Sequence, residues 1–199
     1  MRSERPSRPT RSDLIRSNDD MLHVYNRGVD RQQIFFSDEY YGVFLSLVRR
    51  FHVREELQIL AYCLMPNHFH LLVRQLRELA ISHFMEQVCG EYAKTVNQLR
   101  GRVGHLFQRR YGMKWVWSES GILPLVNYIH QNPVKGGLVA LPEEWDHSSC
   151  KEYFGLRSVG FLDLEHVLSE LADHEDYRSF LARSGDTEIL LPFQLRFRE

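Results

Sequence analysis

Cysteine is scarce in this chain: its 199 residues include three, Cys63, Cys89 and Cys150. An odd, widely spaced set supports neither a disulfide framework nor a thiolate metal cage. Long apolar runs are also missing. No stretch approaches the ~20 residues that span a bilayer, and the Arg-rich start carries no apolar signal-peptide core, so a soluble, cytoplasmic protein is expected. There is no internal repeat, and low complexity is confined to residues 1–19. The most telling absence is of acid. Between Glu91 and Glu119 there is no Asp or Glu, whereas Lys94, Arg100, Arg102, Arg109, Arg110 and Lys114 all fall there.

The formal net charge of -1 hides this asymmetry. Residues 1–140 hold 19 Lys+Arg against 13 Asp+Glu, and residues 141–199 hold 6 against 13. His105, Phe107, Tyr111, Trp115 and Trp117 interleave with the cations. Such a segment reads as a surface that tracks phosphates and offers aromatic faces to unpaired bases. The ordinary alternative is a solvated loop and strand whose aromatics face the core.

With 43% hydrophobic and 12% aromatic residues the chain is globular in composition and long enough for one domain with extensions. Residues 1–19, rich in Arg, Pro and Ser, are expected to form a flexible basic arm. Met21 to Asn26 reads as a strand. Asp38 suits an N-cap before Tyr41, Phe44, Leu45, Val48 and Phe51, apolar at helical spacing. Leu57 to Leu64 and His68 to Gln75 form a hairpin around Met65-Pro66-Asn67. Residues 78–100 form a second helix closed by Gly101. A strand follows near 111–117, then a helix from about Ser120 to Asn132. Leu162 to Arg183 has helical periodicity and an acidic surface. The fold class expected is α+β: a ferredoxin-like antiparallel sheet (β-α-β-β-α-β) with an added helix and a small C-terminal helical tail.

Two short patterns carry chemistry. His68 and His70 are two apart in a strand, so they share a face while Phe69 points to the other. Two imidazoles on one rigid face make a pair of metal ligands, or else a solvated sheet surface. Tyr128 and Asn132, four apart near a helix end at Pro133, lie one turn above another and present a phenol beside an amide. The plain alternative is a structural tyrosine with a capping asparagine.

With their flanks these segments resemble the single-tyrosine transposases of the HUH nuclease superfamily, most closely the REP-associated tyrosine transposases. The likeness starts at His23-Val24-Tyr25-Asn26-Arg27-Gly28 and runs to Phe36. It continues through Met65-Pro66-Asn67-His68-Phe69-His70-Leu71-Leu72, Gly104-His105-Leu106-Phe107-Gln108-Arg109-Arg110-Tyr111 and Tyr128-Ile129-His130-Gln131-Asn132-Pro133 to Val139. Trp145-Asp146-His147-Ser148-Ser149 is a weaker echo, with Cys150 where the family often has tyrosine. Four ordered motifs over about residues 20–155 make a specific signal where each alone is weak.

The resemblance implies a catalytic domain over 20–155 and an acidic, partly helical extension over 156–199. It implies a metal-dependent endonuclease and strand transferase acting on single-stranded or hairpin DNA at palindromic repeats. Tyr128 would be the nucleophile of a 5′-phosphotyrosine, with Tyr111 as its rival. His68, His70 and Asn132 would hold one Mg²⁺ or Mn²⁺. Arg27, Arg31, Arg100, Arg102, Arg109, Arg110 and Lys114 would contact DNA. A monomer and a homodimer both fit the family, and a non-catalytic, domesticated repeat-binding protein is the alternative function.

Overall fold

The structure, a computed structural model, describes residues 19–116, 121–171 and 176–184. The basic arm therefore lies, but for Asp19, outside the described residues, as does Trp117. Four strands form one sheet: β1 (Met21–Arg27), β2 (Leu57–Met65), β3 (His68–Gln75) and β4 (Gly112–Val116), in the order β2-β3-β1-β4. Every neighbouring pair is antiparallel. Helices α1 (Asp38–Arg54) and α2 (Ala80–Arg100) make the two crossovers, so the connectivity is the expected β-α-β-β-α-β. After β4 come α3 (Ile122–Lys135), the short α4 (Cys150–Tyr153) and α5 (Glu165–Leu168), and α6 (Tyr177–Ser184).

Side-chain alternation divides the sheet into two differently used faces. Leu22 and Val24 of β1, Tyr62 and Leu64 of β2, and Phe69, Leu71 and Val73 of β3 face one way and pack under α1 and α2 with Phe44, Val48, Phe84, Val88 and Tyr92. Each such side chain contributes about 1.5–3 kcal/mol by leaving water. On the other face Ala61, Cys63, Met65 and Leu72 meet Ile122, Leu125, Val126 and Ile129 of α3, together with Tyr153, Val167 and Tyr177. An irregularity between Ile59 and Ala61 lets Leu60 and Ala61 both serve this second core. The apolar half of the second face thus lies under α3, and the polar half lies over β1, β3 and β4.

Several boundaries differ from the sequence expectation for local reasons. The N-cap of α1 is Ser37, in extended conformation, and Asp38 is the first helical residue. Leu79 adopts a left-handed φ of 62°, so α2 starts at Ala80. Its end is as expected, with Gly101 at φ 60°. Helix α3 does not stop at Asn132 but runs through Pro133 to Lys135. The periodic stretch 162–183 is not one helix. Leu162 instead bridges Ile59 of β2, and α5 and α6 are separate short elements.

The segment after α3 closes the free edge of β2. His147 O accepts from Leu64 N, and Ser149 N donates to Tyr62 O, each at 2.9 Å. Trp145 Nε1 donates to Leu64 O at 3.0 Å. These bonds cover an edge that would otherwise offer unpaired backbone groups. Behind it His130 of α3 is fully buried, its Nε2 2.7 Å from Ser149 Oγ and its Nδ1 2.7 Å from Tyr177 OH. Three chain segments are pinned together there.

Burial lowers the His130 pKa from 6.5 to about 3, so the folded chain keeps it neutral while the unfolded chain protonates it below about 6.5. The unfolded state then binds more protons, and stability falls as pH drops through that window. The expected slope from this group is up to about 1.4 kcal/mol per pH unit. Urea midpoints between pH 7 and 5 should therefore fall less steeply in His130→Gln than in the wild type; equal slopes would contradict this account.

Gly28 marks a second constraint, where β1 turns toward α1. A Cβ there would lie 2.2 Å from Gln32 O and 2.9 Å from Ile34 Cγ2. The oxygen belongs to backbone and cannot swing away. Gly28→Ala is expected to lower unfolding free energy by about 1–3 kcal/mol, read from denaturant midpoints.

Candidate active site

Parity on β3 places His68 and His70 on the face away from α1 and α2, while Phe69 is fully buried between sheet and helices. On β1 the same parity exposes His23, Tyr25 and Arg27 to that face, with Tyr25 opposite His70 and Arg27 opposite His68. Lys114 of β4 is the partner of His23, and Gly112 that of Tyr25. A Cβ on Gly112 would lie 2.4 Å from the Tyr25 ring. The glycine is the floor on which that ring lies.

Helix α3 brings Tyr128 to this group. Its ring stands edge-on to His70, centroids 5.8 Å apart, and to His23 at 6.1 Å. Lys135 Nζ lies 5.3 Å from the Tyr128 centroid. Asn132 is one turn further along, toward the helix end where Gly136 approaches Met65, the strand partner of His68.

Pro133 determines how the Asn132 amide is turned. A proline has no N–H, so its presence inside α3 leaves the Ile129 carbonyl without the usual donor four residues on. Asn132 Nδ2 supplies one, at 3.3 Å from Ile129 O and 2.7 Å from Tyr128 O. With both amide hydrogens directed into its own helix, the side chain has Oδ1 as its outward atom.

His68 is oriented in the same manner. Asn67 Nδ2 donates to Arg31 O at 3.1 Å, which identifies Oδ1 as the atom 2.6 Å from His68 Nδ1. That oxygen only accepts, so His68 carries its proton on Nδ1 and a lone pair on Nε2. Burial, with Arg27 adding, lowers the His68 pKa to about 4. Burial followed by the charges of its neighbours His23, His68, Arg27 and Lys114 holds His70 well below 6.5. Both rings are neutral at neutral pH, the state in which imidazole binds metal.

Burial pushes the Tyr128 phenol up to about 12, Tyr25 reinforcing this and the Arg27 guanidinium opposing it. Arg27 thus bears on the phenol and on both imidazoles. The result is a pocket of neutral imidazoles and a neutral phenol beside the Arg27 guanidinium, and the potential there favours an anionic group. Among the described residues no three His, Cys, Asp or Glu side chains gather as a metal cluster. Two imidazoles and an amide oxygen, if they held an ion together, would suit a hard-to-borderline divalent ion that keeps open positions for oxygen ligands.

The basic residues read from sequence are dispersed. Arg31 is exposed, with φ 59°, directly after Asp30 at φ 49°. Arg100 lies over the Phe36 ring at 4.2 Å, on the helical side. Arg102, half-buried, and Arg109 and Arg110, exposed, occupy the loop between α2 and β4. Only Arg27 and Lys114 of the seven adjoin the histidines. The aromatics of that segment mostly serve the core: Phe107, Tyr111 and Trp115 pack against the helix-side cluster. Tyr111 OH pairs with Ser82 Oγ of α2 at 3.1 Å, on the side of the sheet away from His68 and His70. His23 and Tyr25 are the residues that motif reading does not single out; their parity on β1, in step with Arg27, is the signal that finds them.

Among the described residues no helix is long and apolar enough to cross a membrane. Comparison with known proteins agrees with this architecture. Residues 18–132 match the IS200-like transposase family. A Haemophilus influenzae protein named as a REP-associated tyrosine transposase is 27% identical over 131 residues, 60% of this chain and 73% of that one. The solved structure of a REP-associated tyrosine transposase bound to a REP hairpin superposes with a TM-score of 0.60 at 18% identity, covering 79% of this chain and 93% of that chain. At that identity the superposition speaks for the fold. The family match spans more than half of the sequence and includes β1, the histidine pair and the tyrosine helix as far as Asn132: the chain belongs to the IS200-like transposase family.

Proposed function

We propose that this transposase cleaves and rejoins one DNA strand through Tyr128, with His68, His70 and Asn132 holding one Mg²⁺ or Mn²⁺ beside it. The observation that carries the proposal is the approach of the Tyr128 ring to within 5.8 Å of His70, although the two are far apart in sequence. The outward Oδ1 of Asn132 and the Nε2 lone pair of His68 support the same reading. A bound divalent ion would supply Lewis-acid neutralisation of charge developing on the scissile phosphate.

Tyr128 is a protonated phenol at neutral pH, since burial raises its pKa to about 12. It must lose that proton as its oxygen attacks phosphorus. The new bond joins the tyrosyl oxygen to the 5′ phosphate; the bond that breaks is to the 3′ oxygen, which takes a proton and leaves as 3′-OH. Arg27 and Lys114 donate to phosphate oxygens, and Arg27 also favours the phenolate. The phosphodiester is conserved in the covalent intermediate, so attack by another 3′-OH rejoins DNA without ATP.

The phenol ring lies beside His70 of its own chain, which supports action in cis, whether as a monomer or within a homodimer. By analogy with the hairpin-bound relative, the substrate is single-stranded DNA with a palindromic hairpin, met in the cytoplasm. The arm 1–19 and the cations of the α2–β4 loop add phosphate contacts, and 156–199 is an extension to the catalytic unit 20–155. A nicking assay on hairpin-bearing single strands with Mn²⁺ tests the reading. Metal-dependent nicking is expected; tight binding with no nicking would identify a repeat-binding protein instead.

A further inference from the structure

His23 has no part in the chemistry just described, yet it is buried to 1% exposure against the pocket. Its ring lies edge to edge with that of His70, centroids 5.1 Å apart and planes 21° apart, and its Nε2 points at His70 Nδ1 from 2.9 Å. We propose that His23 is a positioning residue that accepts the Nδ1 proton of His70, so that His70 presents its Nε2 lone pair to the cation. The inference rests on the metal-site reading above.

An imidazole ligates through the nitrogen that lacks a hydrogen, and what its other nitrogen bonds to decides which one that is. His68 has this settled by Asn67 Oδ1, an acceptor only. His70 meets a second imidazole instead, and the pair has two proton arrangements. If His23 Nε2–H donates, His70 must carry its own hydrogen on Nε2 and cannot ligate there. If His70 Nδ1–H donates, its Nε2 is free and His23 carries a hydrogen on Nδ1. Among the described residues His23 Nδ1 has no hydrogen-bond partner, so none of them imposes either arrangement from behind the ring. Binding of a cation at His70 selects the second, and the in-plane hydrogen bond to His23 fixes the orientation of the ligating imidazole.

The role belongs to the acceptor atom and not to the ring alone. Glutamine places an amide oxygen near the position of His23 Nε2, whereas phenylalanine keeps an aromatic ring of similar volume but has no acceptor. Mn²⁺ binding by calorimetry, without DNA, should weaken about 10–100-fold in His23→Phe, the usual cost of removing such an outer partner. His23→Gln should retain most of the affinity. Long-range ¹H–¹⁵N spectra of the Mg²⁺-saturated wild type should show His70 protonated at Nδ1.

Unchanged Mn²⁺ affinity in His23→Phe, or His70 protonated at Nε2 with Mg²⁺ bound, overturns the role of His23. The His70→Ala control separates the layers. Loss of Mn²⁺ binding there with wild-type binding in His23→Phe rejects His23 alone; wild-type binding in His70→Ala rejects the metal site and this inference with it. Should His23→Phe fail to fold, the spectrum of the wild type decides.

Discussion

Tyr128→Phe should form no denaturant-resistant complex with hairpin-bearing single-stranded DNA, while binding that DNA about as tightly as the wild type. The change removes one oxygen. The ring keeps its edge-on contacts with His70 and His23 and its place under Lys135 Nζ, so α3 should stay seated. On the proposed mechanism, what is lost is the step that joins protein to DNA. Removing a nucleophile lowers turnover by about 10⁴-fold or more, since no positioning or charge stabilisation replaces the missing atom. Two other hydroxyls compete for the role on different grounds. Tyr25 lies in the same pocket, its ring 6.3 Å from that of His70. Tyr111 faces Ser82 on the opposite side of the sheet. Full adduct formation by Tyr128→Phe would transfer the role to one of them, with Tyr25→Phe the next variant to make.

The second large effect is expected from the histidine pair. His68→Ala and His70→Ala should each lower Mn²⁺-supported cleavage by at least about 100-fold, above the cost of losing an outer partner alone. Removing both should be little worse than removing one, because groups that act as a unit are not additive. Folding should survive at His68, which is half-buried at the pocket rim. His70 is 1% exposed and packs against His23, so its truncation also leaves a hole in the sheet face. His70→Gln, which keeps volume and polarity, separates the two consequences. Metal-dependent cleavage persisting in His68→Ala would exclude the site.

Why these residues are readable from sequence, and others not, follows from the range of the forces involved. Strand parity is local: it is enough to put His68 and His70 together and Phe69 in the core, and the structure agrees. The spacing of Tyr128 and Asn132 is likewise local and places them on one helix face. The end of α3 is not local in this sense. The rule that proline disfavours helix before it argues for a stop at Asn132, yet the Asn132 side chain supplies the donor that Pro133 lacks, and the helix continues. Lys135 thereby gains its place over Tyr128.

The neighbourhood of the site depends on strand order, which no single segment encodes. His23, Tyr25, Arg27 and Lys114 join the histidines because β1 lies between β3 and β4. The basic, acid-free segment misleads in part for the same reason. Its aromatics Phe107, Tyr111 and Trp115 are interleaved with cations in sequence, but alternation on β4 and the loop before it turns them to the helical core. Composition registers the charge, whereas direction is set by the sheet.

The central claim is that one named oxygen forms the bond to DNA, and peptide mapping tests it most directly. The wild-type protein is incubated with Mn²⁺ and a hairpin-bearing single strand, the complex is digested with protease and nuclease, and the modified peptide is sequenced by mass spectrometry. The account predicts a single nucleotide-bearing tyrosine, Tyr128, linked to a 5′ phosphate. A 5′ phosphate on Tyr25 or Tyr111, or a 3′-phosphotyrosyl linkage at any residue, would contradict it.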